Sequence, residues 1–165
     1  MWLLAAAMVV TAQHDATQVG INVLRAGGNA VDAAVAVGYA LAVTDPCCGN
    51  IGGGGFMLIR LHDGRERFID FRERAPLLAT STMYLDPHGN VRPSASTRGW
   101  LSIGTPGTVA GLEAARHEFG TMSRARLLAP AIALARDGFS VIPGDYLPGS
   151  GPSTQPGARY AQPQL

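Results

Sequence analysis

The 165-residue sequence contains no lysine and few charges of any kind. Its 13 basic residues are all arginines, 12 acidic residues balance them, and no run of either sign occurs. Nucleic acids and anionic membranes are recognised by concentrated basic surfaces, which are missing here. We therefore predict that neither is the main partner. The absence of lysine agrees with codon bias in a GC-rich genome, and we attach no function to it.

Cysteine is also scarce, because Cys47 and Cys48 are the only two and they are adjacent. A disulfide between neighbouring residues closes a small, strained ring, so we expect two free thiols. The four histidines are scattered, and none completes a zinc-binding pattern with the cysteines. The sequence therefore predicts no metal site and leaves the redox compartment open.

Long hydrophobic runs are missing as well. The apolar residues 1–10 are too few to span a bilayer, and they lack the basic segment of a secretory signal. We take residues 1–7 as a possible leader stub, with a buried first strand around 8–12 as an equal alternative. The Pro- and Gly-rich residues 143–165 are predicted to be a disordered or truncated tail. Residues 8–142 then form the folded part, and 47% apolar content suits one packed domain.

Helix signals occur in both halves of this folded part. Asp15 and Gln18 have capping-box spacing and begin a helix that should end at Gly27. Asn29 and Asp32 begin a second helix, which is apolar on nearly every face and must be covered by other layers.

Two further helices follow an irregular segment over residues 72–102. Thr105 is the expected N-cap of the third helix, which should end at Gly120. Ser123 is the expected N-cap of the fourth, which should run towards Gly138.

Two strand-like runs lie between the second and third helices, at 56–61 and 67–71. Asp63-Gly64 between them is typical of a two-residue type I′ hairpin turn. Such a loop predicts the pairs His62–Arg65, Ile59–Phe68, Leu58–Ile69 and Phe56–Phe71. Both faces of the ribbon are then largely apolar, so each should be covered. We predict an α/β sandwich whose sheet is at least partly antiparallel.

The glycine run "GNIGGGGF" (49–56) precedes the first strand and invites comparison with a phosphate loop. A dinucleotide loop would place its third glycine at Met57, and it would connect a strand to a helix, which is the reverse of the order here. No P-loop lysine is present either. The glycines are better explained as bare backbone that another segment or a ligand can approach closely.

The segment "IDFRER" (69–74) carries the most promising charged group. Asp70 and Arg72 lie two residues apart and share a face of the strand or its extension. The predicted register places Arg72 opposite Gly55. An arginine beside bare backbone suits a substrate carboxylate, which it can bind through two parallel hydrogen bonds. The alternative, an arginine that only pairs with Asp70 or Glu73, remains open on these residues alone.

Five stretches occur together in one order: "LRAGGNAVDAAVAVGYALAVTDP", "GNIGGGGFMLIR", "IDFRERAP", "GTPGTVAG" and "FGTM…LLAPAIALARDGF". In this combination, from about residue 8 to 139, the sequence closely resembles the N-terminal part of the large subunit of the γ-glutamyltranspeptidase family, bacterial type. The resemblance implies an N-terminal-nucleophile hydrolase fold, an αββα sandwich of which only the N-terminal part is present.

The resemblance also implies an activity. Members of this family cut their own precursor and expose a threonine, whose amine serves as the base when it attacks the γ-glutamyl amide of glutathione or a related compound. The γ-glutamyl group then passes to water or to an amino acid or peptide. No cofactor is expected, and the partner of this chain is expected to be the remaining C-terminal part of the precursor, the small subunit. A periplasmic or secreted location is expected from the family.

The resemblance assigns one residue a role: Arg72 should bind the α-carboxylate of the γ-glutamyl group. Asp70, Glu73, Gly54 and Gly55 are further candidates for substrate contact. No catalytic residue is expected in these 165 residues, because the Thr-Thr-His type segment that carries the family's nucleophile does not occur here. We therefore expect the isolated chain to be inactive.

Two alternatives stand beside this interpretation. A sibling acylase of the same fold, acting on glutaryl-type side chains of β-lactams, would share these motifs. A non-enzymatic pseudogene product or interaction module is the other alternative.

Overall fold

The computed structural model describes residues 7–145, 147 and 154–165. Over these residues the elements are α1 (His14–Arg25), α2 (Ala30–Thr44), β1 (Phe56–Arg60), β2 (Glu66–Asp70), a 3-10 turn (Trp100–Ser102), α3 (Thr108–Phe119), α4 (Arg124–Asp137), β3 (Phe139–Ser140) and β4 (Arg159–Tyr160). The possible leader stub lies outside the described residues except for its last residue.

Helix α2 is the centre of the fold, as its apolar composition predicts. Most of its residues are buried, and α1, α3 and α4 all pack against it. Its first turn carries the expected capping box: the Asn29 side chain accepts from the Asp32 amide, and the Asp32 carboxylate accepts from the Asn29 amide. The helix therefore begins where its local sequence directs it and is stabilised by burial on most sides.

Two of the predicted helix starts are wrong. The N-cap of α1 is Gln13, whose side-chain oxygen accepts from the amides of Asp15 and Ala16. The N-cap of α3 is Gly107, because Thr105 pairs with Arg74 through the backbone instead. At α3 a contact with a neighbouring segment overrides the residue with the better intrinsic capping propensity, whereas at α1 a local glutamine caps the helix and Asp15 lies inside its first turn.

The other helix boundaries are confirmed. Helix α1 is followed by Gly27 at φ 88°, and α3 ends at Gly120. Ser123 caps α4, which contains Pro130 and ends at Gly138 with φ 79°. A positive φ of this kind is readily available only to glycine, which explains the residue after α1 and after α4.

Strands β1 and β2 form the expected hairpin, but its register differs by one residue from the prediction. Phe56 pairs with Asp70 and Leu58 with Phe68. The loop holds three residues, 62–64, rather than two, because Leu61 still bonds Arg65 and Gly64 takes a φ of 86°. A three-residue loop with glycine in the left-handed position is the usual alternative to the type I′ turn.

The register decides which face of the hairpin is buried. Ile59 is 7% exposed and faces the helices, with Met57 and Ile69 half-buried beside it. On the other face Phe56 and Phe68 stack with ring centroids 5.7 Å apart, and they are 59% and 57% exposed. Within the described residues only the face that carries Ile59 is covered, and the further layer expected on the other face is not among them.

The alternative of a first strand around 8–12 is also wrong. Residues 7–11 are not part of a strand, and Met8 and Val10 are more than 80% exposed. The described residues hold two separate two-stranded sheets, so no sandwich of two larger sheets forms within them. None of the helices in the described part of the chain is long and apolar enough to span a membrane.

Part of the Pro- and Gly-rich segment has structure. Strand β4 pairs with β3, and the rings of Tyr160 and Phe139 meet edge to face at 5.9 Å. The Gln162 side chain donates to the carbonyl of Val43 at 3.0 Å, at the end of α2. Where composition predicted disorder, residues 154–165 therefore form backbone and side-chain contacts with the body. Residues 146 and 148–153 of the same segment lie outside the described residues.

Candidate functional site

The segment from Phe71 to Arg74 lies between the glycine loop and the start of α3. On one side Phe71 exchanges two backbone hydrogen bonds with Gly55, at 3.0 and 3.3 Å. On the other side Arg74 exchanges two with Thr105, at 2.8 and 3.2 Å. The carbonyl of Gly53 accepts from the amides of Gly107 and Thr108, which joins the two flanking segments. Three sequence motifs thus meet in one place.

The close approach of these segments requires glycine. A Cβ on Gly54 would lie 2.5 Å from the carbonyl oxygen of Phe71, and one on Gly107 would lie 2.0 Å from the same atom. A Cβ on Gly111 would lie 2.1 Å from the Phe71 ring. No real Cβ fits at such distances, so the glycines position the backbone of residues 71–73 by letting its neighbours come close.

Arg72 projects from this clamped backbone. Its amide donates to Asp70 Oδ1 at 3.0 Å, and its guanidinium Nη1 lies 3.2 Å from Glu73 Oε2. The side chain is 64% exposed. A guanidinium has five N–H donors, so its contact with Glu73 leaves several available to a ligand.

A surface pocket of about 260 Å³ adjoins this segment. Asp70, Arg72 and Arg74 supply its charged groups, and the remaining lining comes from β2, from Phe71 and from the start of α3. Two arginines against one carboxylate make the pocket better suited to an anion than to a cation. We see no set of metal ligands in this lining.

The structure places the candidate residues as follows. Gly54, not Gly55, lies opposite Arg72, because the register is shifted by one residue. Gly55 lies opposite Phe71. Glu73 forms an ion pair with Arg72, whereas Asp70 bonds its amide. The candidates are therefore brought together, although the predicted pairing of Arg72 with Gly55 is wrong.

The part played by "GTPGTVAG" (104–111) was not predicted. Thr105 was expected to cap a helix, whereas it pairs with Arg74, and Gly107 and Gly111 accommodate Phe71. The available signal was the glycine at position 111. A glycine inside a helix is unfavourable unless a neighbour requires its lack of a side chain.

A buried carboxylate network was also missed. Asp32 is fully buried and accepts from the amides of Asn29, Thr121 and Met122 and from the Thr121 hydroxyl, at 2.6–3.1 Å. Burial acts to raise the pKa of Asp32, but the hydrogen bonds outweigh it and hold the pKa below its usual value. The network joins the start of α2 to the connection between α3 and α4, so its role is structural.

Comparison with known proteins identifies the family. The sequence profile described as gamma-glutamyltranspeptidase matches residues 16–145. A glutathione hydrolase proenzyme from Pseudomonas sp. (strain A14) is 63% identical over 138 residues, which are 84% of this chain and 24% of that protein. This chain thus spans about a quarter of the length of the curated relatives it matches.

Solved structures agree with this result. The γ-glutamyltranspeptidase from Pseudomonas nitroreducens complexed with L-DON is similar with a TM-score of 0.87 at 40% identity, over 98% of this chain and 52% of that chain. A cephalosporin acylase from Bacillus halodurans is similar with a TM-score of 0.68 at 28% identity, over 87% of this chain and 28% of that chain. Both likenesses are consistent with an N-terminal-nucleophile hydrolase fold. The chain belongs to the γ-glutamyltranspeptidase family and corresponds to its N-terminal region.

Proposed function

We propose that this chain is the N-terminal part of the large subunit of an enzyme that transfers the γ-glutamyl group of glutathione and related compounds. The acceptor is water, an amino acid or a peptide. Family membership supports the reaction class, and the curated relatives are named glutathione hydrolase proenzymes. The rest of the precursor supplies the nucleophilic threonine and the donors for the developing oxyanion.

Arg72 is the residue that we propose for binding the substrate α-carboxylate. The observation that carries this proposal is an exposed guanidinium on an immobilised backbone, beside a pocket that also contains Arg74. Glu73 orients the guanidinium from one side through its ion pair, and Asp70 bonds the backbone amide of Arg72. Gly54 and Gly55 support this arrangement by letting residues 71–73 come close to the glycine loop. A pre-oriented arginine binds a carboxylate with less loss of side-chain entropy than a free one.

The test is an Arg72→Ala substitution in the full precursor that carries this chain. Loss of a charge-assisted hydrogen bond costs roughly 1.5–3 kcal/mol. We therefore expect kcat/KM for γ-glutamyl-p-nitroanilide to fall about 10- to 150-fold. Arg72→Lys should recover only part of the loss, because an ammonium cannot form the two-pronged contact.

Arg60→Ala is the matched control, because Arg60 is an exposed arginine at the far end of the same hairpin. Its kcat/KM should equal that of the unchanged precursor. An Arg72→Ala enzyme with unchanged kcat/KM would show that this arginine does not bind the substrate.

The proposal also concerns how this chain packs against the rest of the precursor. The exposed face of the hairpin, formed by Phe56, Leu58 and Phe68, packs against the rest of the precursor and becomes part of an αββα sandwich. The support is its exposure: Leu58 is 72% exposed, and an apolar sheet face of this kind is rarely left in water. A periplasmic or secreted location is part of the same proposal and can be tested by fractionating cells that express the precursor.

A second candidate function is acylase activity, in which water cleaves the amide of a glutaryl-type side chain of a β-lactam and releases the acid and the amine. The likeness to the Bacillus halodurans cephalosporin acylase favours it over unrelated reactions. A substrate panel separates the two, because γ-glutamyl substrates carry an α-amino group beside the carboxylate, whereas glutaryl side chains carry the carboxylate without the amino group. Faster turnover of a glutaryl amide than of the matching γ-glutamyl amide would favour the acylase.

A further inference from the structure

The turn that follows α2 brings three metal-binding groups together. A carboxylate oxygen of Asp45 and the sulfur atoms of Cys47 and Cys48 all lie within 4.8 Å of one another. The Cys47 thiol donates to Asp45 Oδ1 at 3.3 Å. Both thiols are free and exposed, so solvent and solutes reach them. Adjacent side chains in an extended strand would point to opposite faces, whereas this turn places both on one side.

Hydrogen bonds hold the backbone of this turn. The Asp45 amide donates to the Leu41 carbonyl at 2.8 Å, which continues α2. The Asp45 carbonyl accepts from the amides of Cys48 and Gly49, at 3.1 and 2.8 Å. Gly49 packs so closely on Leu41 that a Cβ there would lie 2.9 Å from the Leu41 Cβ. The three groups are therefore carried by an ordered segment.

Their chemistry suits a thiophilic divalent cation. Zinc and its heavier analogue cadmium bind thiolates and carboxylates, and zinc–sulfur bonds of about 2.3 Å in a tetrahedron put two sulfurs roughly 3.8 Å apart. Separations of up to 4.8 Å approach this value, and exposed side chains can shorten them by rotation. Three protein ligands leave a fourth position for water, which differs from the four-ligand zinc pattern that the sequence lacks.

We propose that Asp45, Cys47 and Cys48 form a binding site for one Zn²⁺-like cation per chain. Each thiol transfers its proton to solvent as its sulfur–metal bond forms, and the Asp45 carboxylate binds through one oxygen. Two thiolates and one carboxylate bring three negative charges to the two positive charges of the ion. The site lies directly before the glycine loop, outside the pocket beside Arg72, and it is independent of the proposed γ-glutamyl chemistry.

Cadmium titration of the full 165-residue chain tests the site, with the thiols kept reduced by a phosphine. Thiolate–cadmium bonds absorb in the ultraviolet, and the chain has no other cysteine, so the signal reports these two residues alone. We expect the absorbance to saturate at one Cd²⁺ per chain and Zn²⁺ to displace it. Saturation at half an equivalent would overturn the proposal, because it would mean that thiols of two chains share one ion.

Substitutions test each ligand. Cys47→Ser, Cys48→Ser and Asp45→Asn should each weaken Cd²⁺ binding at least as much as the roughly 10- to 100-fold that loss of an outer-shell partner costs. Asp63→Asn is the control, because Asp63 is an acidic residue at the hairpin tip whose carboxylate already holds Arg65; its affinity should be unchanged. An Asp45→Asn chain that binds as tightly as the control would refute the three-ligand site. Matching circular dichroism spectra establish that each variant is folded.

Discussion

At the scale of single residues, Asp32 does more than cap a helix. Its carboxylate accepts hydrogen bonds from the start of α2 and from Thr121 and Met122, which are about 90 positions later. A buried carboxylate is tolerated only where its oxygens are bonded in this way. The same bonds keep it ionised, because they hold its pKa below the usual value in spite of burial.

This predicts how stability depends on pH. Because the folded-state pKa of Asp32 is lower than that of the unfolded chain, about 3.9, ionised Asp32 contributes its full stabilisation above that value. The contribution is lost as the pH falls through the depressed folded-state pKa. Asp32→Asn should lower the free energy of unfolding by about 2–3 kcal/mol between pH 5 and 8. The NH₂ group of asparagine would face N–H and O–H donors that now bond the carboxylate. Urea unfolding at several pH values measures this.

The difference between the two proteins should shrink below about pH 4, because the Asp32 carboxylate then takes up a proton in the unfolded chain before it does so in the folded one. Asp15→Asn is the control, because Asp15 also lies in the first turn of a helix but is not part of such a network. Equal stability of the Asp32→Asn chain and the unchanged chain at pH 7 would contradict the assigned role.

At the scale of elements, the hairpin shows that one additional loop residue changes which side chains of a strand are buried. A shift of one residue in register exchanges the buried and exposed sides of a strand. The loop gains His62 as a third residue, and Gly64 in the left-handed conformation accommodates the turn that gives the register observed here. Ile59 consequently faces the helices and Leu58 faces outward.

Substitution by alanine should therefore affect the stability of the protein differently at Ile59 and at Leu58. Ile59→Ala removes a side chain that is 7% exposed and should lower the free energy of unfolding by about 2–4 kcal/mol. Leu58→Ala removes one that is 72% exposed and should change it by no more than about 0.5 kcal/mol. Urea denaturation of both variants measures the difference. A larger loss for Leu58→Ala would mean that the faces are reversed in solution.

At the scale of the whole molecule, motifs were easier to predict than the contacts between them. The buried helix α2, its capping box and the ends of α1, α3 and α4 follow from local signals, and the structure confirms them. The starts of α1 and α3 and the hairpin register were missed. Helix α1 begins at Gln13, a residue of weak capping propensity, and the start of α3 depends on the pairing of Thr105 with Arg74. The register depends on a loop length that Asp63-Gly64 permits in two forms. The family motifs indicated that Arg72 belongs to the candidate site. The close packing of Gly107 and Gly111 on Phe71 is a contact between distant segments, which the sequence does not reveal.

A further prediction concerns the activity of the 165-residue chain on its own. The chain spans about a quarter of its curated relatives and contains no Thr-Thr-His segment. We expect the purified 165-residue chain to release no p-nitroaniline from γ-glutamyl-p-nitroanilide above a buffer blank. A full-length γ-glutamyltranspeptidase assayed in parallel verifies the conditions. Turnover by the chain alone would mean that it carries a nucleophile of its own.

The contact between Gln162 and Val43 has a consequence for truncation. The last carbonyls of a helix lack intrahelical partners, and at the end of α2 the amide of a residue 119 positions away supplies one. Helix capping is usually local, whereas here it depends on the segment after β4. Shortening the chain to residue 161 should therefore fray the last turn of α2 and speed deuterium uptake at its C-terminal amides, far from the cut in sequence.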